Sequence, residues 1–213
     1  MKTLFIHRSV GNNLINDSRL YNRLYKSNAG QFADYDNNTG ILRTISSSLK
    51  LGLSFPNNNT RPVDYALLFS ELGAKEYSEL YKLVMSYDRI IIKSCYPNSN
   101  IKNDQELQQI KDYYLRIKKH FTKTKKQLII MTSPPLRPSS TSSENAARAR
   151  KLANWLAGQK FGKNIGVFDF FDLLANKQNY LKREYRRLIW LDNHPNKRAA
   201  IEIAPKFIEV LEA

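Results

Sequence analysis

The sequence predicts an α/β fold with a mostly parallel sheet and helices over both faces. Three observations carry this. Short runs rich in β-branched and aromatic residues recur along the chain, as in "RIIIK" and "QLIIMT". Between them lie longer segments with apolar residues every three or four positions. Polar loops join the two kinds of segment. Strands alternating with helices of this length read as βαβ units.

Strands are predicted at 3–6, 89–93, 127–132 and 165–168. Leu107, Ile110, Tyr114, Ile117 and Phe121 step by three and four, which gives one helix a single apolar stripe. Asn103 or Asp104 can cap its start. The next helix starts at Ser142 or Ser143, runs through Trp155 and Leu156, and ends at Gly158. A last helix carries Ile203, Phe207, Val210 and Leu211, and Pro205 either starts it or kinks it. The segment 28–62, rich in Asn, Gly and Ser, reads as a long loop with one helix around 42–51.

At 213 residues with 42% hydrophobic content, the chain suits one domain spanning 1–213. No apolar run approaches the ~20 residues of a membrane span. Without a signal-peptide pattern, a cytoplasmic location is expected. Cys95 is the only cysteine, so no intramolecular disulfide or cysteine-rich metal site can form. Three histidines make a histidine-rich metal site an unpromising reading, and no cofactor is called for. Lys and Arg number 34 against 19 Asp and Glu, a net charge of +15. Such a field attracts polyanions, although a lysine-rich surface also serves solubility alone. The runs "KKHFTKTKK" and "KREYRRLIW" concentrate this charge beside aromatic residues.

In an open parallel sheet, sites lie beyond the carboxyl ends of the strands. That rule selects the loops after Ile6, Lys93, Thr132 and Phe168. The first holds His7, Arg8, Ser9 and Gly11 in "FIHRSVGNNLI"; near the other end, "WLDNHPN" holds Asp192, His194 and Asn196. A serine needs a base to take its proton, histidine suits that task near neutral pH, and a carboxylate orients the imidazole. Local readings compete: a serine at a strand–helix corner serves as a helix cap, and "DNHP" reads as a turn. Cys95, near a strand end, reads as a buried thiol or as an alternative nucleophile.

Four blocks in order resemble the SGNH/GDSL hydrolase superfamily: "FIHRSVGNNLI", "DRIIIKSCYPNSNI", "IIMTSPPL" and "DNHPN". More narrowly they look like a bacterial branch with "HHSVG", "KSCYPNS" and "DSHPN" blocks. The resemblance covers nearly the whole chain. It implies a flavodoxin-like three-layer α/β/α sandwich and ester hydrolysis, with O-acetylated carbohydrates or short acyl esters as candidate substrates. Acyl transfer, or a weak or inactive module that binds a polyanion, are the alternatives. By the resemblance Ser9 is the nucleophile, His194 the base and Asp192 its orienting acid. The oxyanion donors are the Ser9 N–H, Gly40 and Asn98, with Asn100 or Ser94 as substitutes for Asn98. His7, Arg8, Asn100 and Arg137 are candidate substrate-binding residues. The chain departs from the family at three points. His7-Arg8-Ser9 stands for Gly-Asp-Ser, the third block lacks its glycine, and the acid precedes the histidine by two residues instead of three. A backbone carbonyl near Leu191 is the alternative partner for His194.

Overall fold

The computed structural model describes residues 1–212 apart from 28–29, 54, 58–59 and 190–191. The chain runs β1 (Lys2–His7), α1 (Ser9–Asp17), α2 (Leu20–Leu24), β2 (Gln31–Asp36), β3 (Ile41–Thr44) and β4 (Ser48–Lys50). Then follow α3 (Pro62–Leu68), α4 (Glu71–Glu76), α5 (Ser78–Met85), β5 (Arg89–Lys93), α6 (Asp104–Phe121) and β6 (Gln127–Met131). The chain closes with α7 (Ser143–Ala157), β7 (Ile165–Phe168), α8 (Phe170–Leu174) and α9 (Lys197–Glu212).

One sheet has the order β4-β3-β2-β1-β5-β6-β7. Its five strands from β2 to β7 are mutually parallel, and β3 and β4 add an antiparallel hairpin at one edge. Strand periodicity explains the three layers. Leu4, Ile6, Ile90, Ile92, Leu128 and Ile130 face a core shared with α3, α5, α6 and α7. The intervening Phe5, Ile91, Ile129 and Met131 face a second core shared with α1, α2, α8 and α9. Strands buried on both faces must be apolar at nearly every position, which is why they are legible as continuous runs.

Local signals place the long helices well. Asn103 caps α6 by accepting from the Glu106 N–H at 2.8 Å, and Ser142 caps α7 by accepting from Asn145 N–H at 3.2 Å. Pro205 lies inside α9, which begins eight residues before it, so it does not start the helix. It leaves the Ile201 carbonyl without its usual donor.

The helix expected at 42–51 is instead the β3–β4 hairpin, and the segment before it contains β2. Gly40 and Gly52 bracket the hairpin at φ +68° and +64°, backbone that breaks a helix. The signal for β2 is masked by Asp34 and Asp36, two carboxylates in a buried strand. No helix among the described residues is long and apolar enough to cross a membrane.

Candidate active site

β1 pairs with β2 on one side and β5 on the other, so the chain reverses its winding direction at β1. The crevice at the carboxyl ends of β1 and β5 is therefore the switch point where α/β sheets bind ligands. Ser9 and Cys95 meet there, with Ser9 Oγ 3.8 Å from Cys95 Sγ. Arg8, in extended backbone, is the N-cap of α1, and Ser9 is its first helical residue. The hydroxyl of Ser9 is therefore not the cap that a strand–helix corner suggests. Its backbone N–H belongs to the first turn, whose donors have no acceptor within the helix.

His194 comes to the same rim from the loop before α9. Its Nδ1 donates to Asp192 Oδ1 at 2.5 Å, and the same oxygen accepts the His194 backbone N–H at 2.9 Å. The short spacing of "DNH" thus permits a carboxylate–imidazole pair through a tight turn. Arg187 stands 3.6 Å from the other carboxylate oxygen. Burial opposes the Asp192 charge, but the two His194 bonds and Arg187 outweigh it and hold the carboxyl below its ordinary value. His194 Nε2 is buried and has no hydrogen-bond partner among the described residues. Tyr96, next to Cys95, packs edge-on against the imidazole with ring centroids 5.1 Å apart. Cys95 and Tyr96 together bridge the Ser9 corner and the His194 loop. The alternative carbonyl near Leu191 lies outside the described residues.

The loop is anchored by residues whose roles only the fold shows. Arg137 donates its backbone N–H to Asn193 Oδ1 at 3.0 Å and its guanidinium to the carbonyls of Ile189, at 2.8 Å, and Arg187. It is 5% exposed. Expected at the substrate, Arg137 is instead spent on clamping the histidine loop. Asn193 donates to Ser140 Oγ at 3.0 Å, and Asn196 accepts from the Ala199 N–H at 3.1 Å, capping α9.

The expected oxyanion donors divide. Gly40 does not offer its N–H, which donates at 2.8 Å to the Asp36 carbonyl within the turn before β3. Ser94 is buried, with its hydroxyl 3.4 Å from the Tyr114 hydroxyl inside the opposite core. Asn100 accepts from Thr141 Oγ1 at 2.8 Å and Asn145 Nδ2 at 2.9 Å, which ties it to the start of α7. Asn98, half-buried in the 3-10 turn Tyr96–Ser99, donates one amide hydrogen to the Cys95 carbonyl at 3.1 Å.

At the level of sequence, no family model and no curated protein matches the chain. Solved structures do. A protein named as a lipolytic protein of the G-D-S-L family, from Desulfitobacterium hafniense, aligns over 99% of both chains at TM-score 0.57 and 12% identity. A GDSL-like lipase from Bacteroides thetaiotaomicron aligns over 99% of this chain and 87% of its own, at TM-score 0.55 and 10% identity. A protein named as an acylhydrolase, from Bacteroides fragilis, covers 99% and 86% at TM-score 0.52 and 11% identity.

The chain has the SGNH/GDSL hydrolase fold.

Within the SGNH fold, one position at the first block differs from what the sequence suggested. His7 is 0% exposed and cannot touch substrate. Its Nε2 lies 2.8 Å from Asp34 Oδ2, and Asp34 also binds Arg43 at 2.7 Å and the Tyr21 hydroxyl at 2.5 Å. Arg8 is half-exposed and reaches Asn38 Oδ1 at 3.3 Å, so it remains at the mouth of the crevice. Lys93 escaped the sequence reading altogether. It ends β5 fully buried, with Nζ donating to the Ser94 carbonyl at 3.1 Å, and burial lowers its pKa. A lysine closing the "III" run of a strand was the available signal. Among the described residues no group of three or more His, Cys, Asp or Glu side chains is arranged to hold a metal ion.

Proposed function

We propose that the SGNH-fold protein is a serine ester hydrolase acting on an acyl ester, with O-acetylated carbohydrates and short acyl esters as candidate substrates. The observation that carries this reading is the Asp192–His194 pair. The carboxylate fixes Nδ1 as a donor and leaves Nε2 buried without a hydrogen-bond partner among the described residues, on a ring packed against Tyr96, the neighbour of the Cys95 that meets Ser9. In this mechanism Nε2 takes the Ser9 proton as Oγ attacks the acyl carbonyl. The resulting oxyanion is met by the Ser9 N–H and the Asn98 side-chain amide, donors worth about 2.7–4 kcal/mol each in such sites. His194 then passes the proton to the departing alcohol oxygen. Water, activated by the same nitrogen, cleaves the acyl-enzyme; a sugar hydroxyl in its place would make the reaction a transfer. The names of the structural relatives, lipase and acylhydrolase, support ester chemistry in general.

The test compares wild type, Ser9→Ala and Cys95→Ala with p-nitrophenyl acetate and a fluorophosphonate probe. Wild type and Cys95→Ala should turn over and label, and Ser9→Ala should do neither. Turnover that survives in Ser9→Ala, or absent labelling of wild type, overturns the reading.

A second reading, polyanion binding, rests on a different place. An open cleft of about 640 Å³ between α3, α4 and α6 is lined by Tyr81, Tyr113, Arg116, Lys119, His120 and Lys123. Part of the "KKHFTKTKK" run thus stands beside aromatic rings. Heparin should bind with an affinity that falls as salt rises and weakens in Lys119→Ala/Lys123→Ala. No binding at low salt removes this reading.

A further inference from the structure

We propose that His7 is the positioning residue for Ser9, bolting the first turn of α1 to Asp34 of β2. The inference rests on the reading of Ser9 as nucleophile.

The bolt has two ends. At one, His7 Nε2 meets Asp34 Oδ2 at 2.8 Å. At the other, Nδ1 meets the Arg8 carbonyl at 3.1 Å. Carboxylate and carbonyl are both acceptors, and each ring nitrogen faces one of them. The Arg8 carbonyl is the oxygen on which the start of α1 is built, since it also accepts the Gly11 N–H at 2.7 Å and the Asn12 N–H at 3.1 Å. Whatever holds that oxygen holds the peptide that leads into Ser9.

The ring itself has little freedom. Phe5 packs beneath it, with centroids 4.8 Å apart. Above it passes Gly11, so close that a Cβ there would come within 2.5 Å of His7 Cγ. Asp34 is held in turn by Arg43 of β3 and Tyr21 of α2. The imidazole is thus enclosed by Phe5 of β1, Asp34 of β2 and Gly11 of α1, with Asp34 braced in turn by β3 and α2, and its other nitrogen meets the backbone of the nucleophile's own turn. A nucleophile displaced by about 1 Å can lose on the order of a hundredfold in rate, so a rigid support at this oxygen has a functional consequence.

Two variants separate the ends of the bolt. His7→Gln places an amide near the Nε2 position and keeps the Asp34 contact while losing the Arg8 one. His7→Asn places an amide near Nδ1 and does the reverse. For p-nitrophenyl acetate, His7→Gln should lose at least about tenfold more kcat than His7→Asn, with KM changed less than about twofold in both. Amide hydrogen exchange reads the same bolt without catalysis. Protection of the Gly11 and Asn12 N–H groups should fall in His7→Gln and be retained better in His7→Asn. Equal losses in the two variants, or unchanged protection in His7→Gln, overturn the proposal. If wild type neither turns over nor labels, the hydrolase reading fails, and the exchange data still decide whether His7 holds the turn.

Discussion

Replacing Gly11 by alanine should destabilise the protein, against the usual sign of that substitution. In a helix, alanine is ordinarily favoured over glycine by about 1 kcal/mol, because glycine loses more backbone entropy on folding. Gly11 sits within α1 and does not need a left-handed backbone, so the gain should be available. Sterics reverse it. A Cβ built on Gly11 meets His7 Cγ at 2.5 Å and Nδ1 at 2.9 Å, closer than real Cβ contacts. The ring cannot give way, because Phe5, Asp34 and the Arg8 carbonyl hold its other sides. Either α1 lifts or the His7–Asp34 bond stretches, and overpacking of this kind costs about 1–3 kcal/mol and sometimes more. If relief also weakens the support of a buried carboxylate, the cost sits at or above the top of that range. The net expectation, about 3 kcal/mol less the helical gain of about 1, is a loss of about 2 kcal/mol, or a fall in Tm of about 4–8 °C for a chain of this size. Thermal and urea melts followed by circular dichroism give the measurement. Gly166→Ala is the matched control, since an added Cβ there meets nothing within 4 Å. A Gly11→Ala protein as stable as wild type, or more so, would refute the close-packing argument.

Asp192→Asn keeps an acceptor for the His194 ring but removes the charge that stabilises the imidazolium. It should lower kcat by about 10²–10⁴-fold with little change in KM, and a loss below about threefold would remove Asp192 from the mechanism. Asp34 gives a pH signature. Burial opposes its charge, but hydrogen bonds from His7, Arg43 and Tyr21 outweigh burial and hold the carboxyl below its ordinary value. Such a group contributes stability that is complete above the unfolded-chain value of about 3.9 and is lost as pH falls through the lower folded value. Asp34→Asn should therefore cost most near neutral pH, about 3–5 kcal/mol, with the gap to wild type closing toward pH 2. A gap independent of pH would contradict the ion-pair account.

Much of the architecture is written locally. β5 and β6 are apolar runs because both faces of a central parallel strand are buried, and α6 and α7 announce themselves through apolar stripes and the caps Asn103 and Ser142. The order of the four blocks likewise pointed to the SGNH fold that the solved structures share, and it is the source of the proposal for Ser9, Asp192 and His194. What escaped the sequence depends on partners distant along the chain. β2 looks polar because of Asp34, whose burial is tolerable only with His7, Arg43 and Tyr21 supplied by β1, β3 and α2. Arg137 looks like an exposed cation seeking a substrate, yet the carbonyls of Arg187 and Ile189 consume it. Gly40 looks like an available donor, but its N–H is taken by its own turn. The sequence alone therefore determined which segments become strands and helices and which residue types could do the chemistry, since periodicity and capping act over a few residues. Which donors stay free, and which charges are neutralised, was decided only by the tertiary structure, because hydrogen-bond partners are assigned by contacts across the fold.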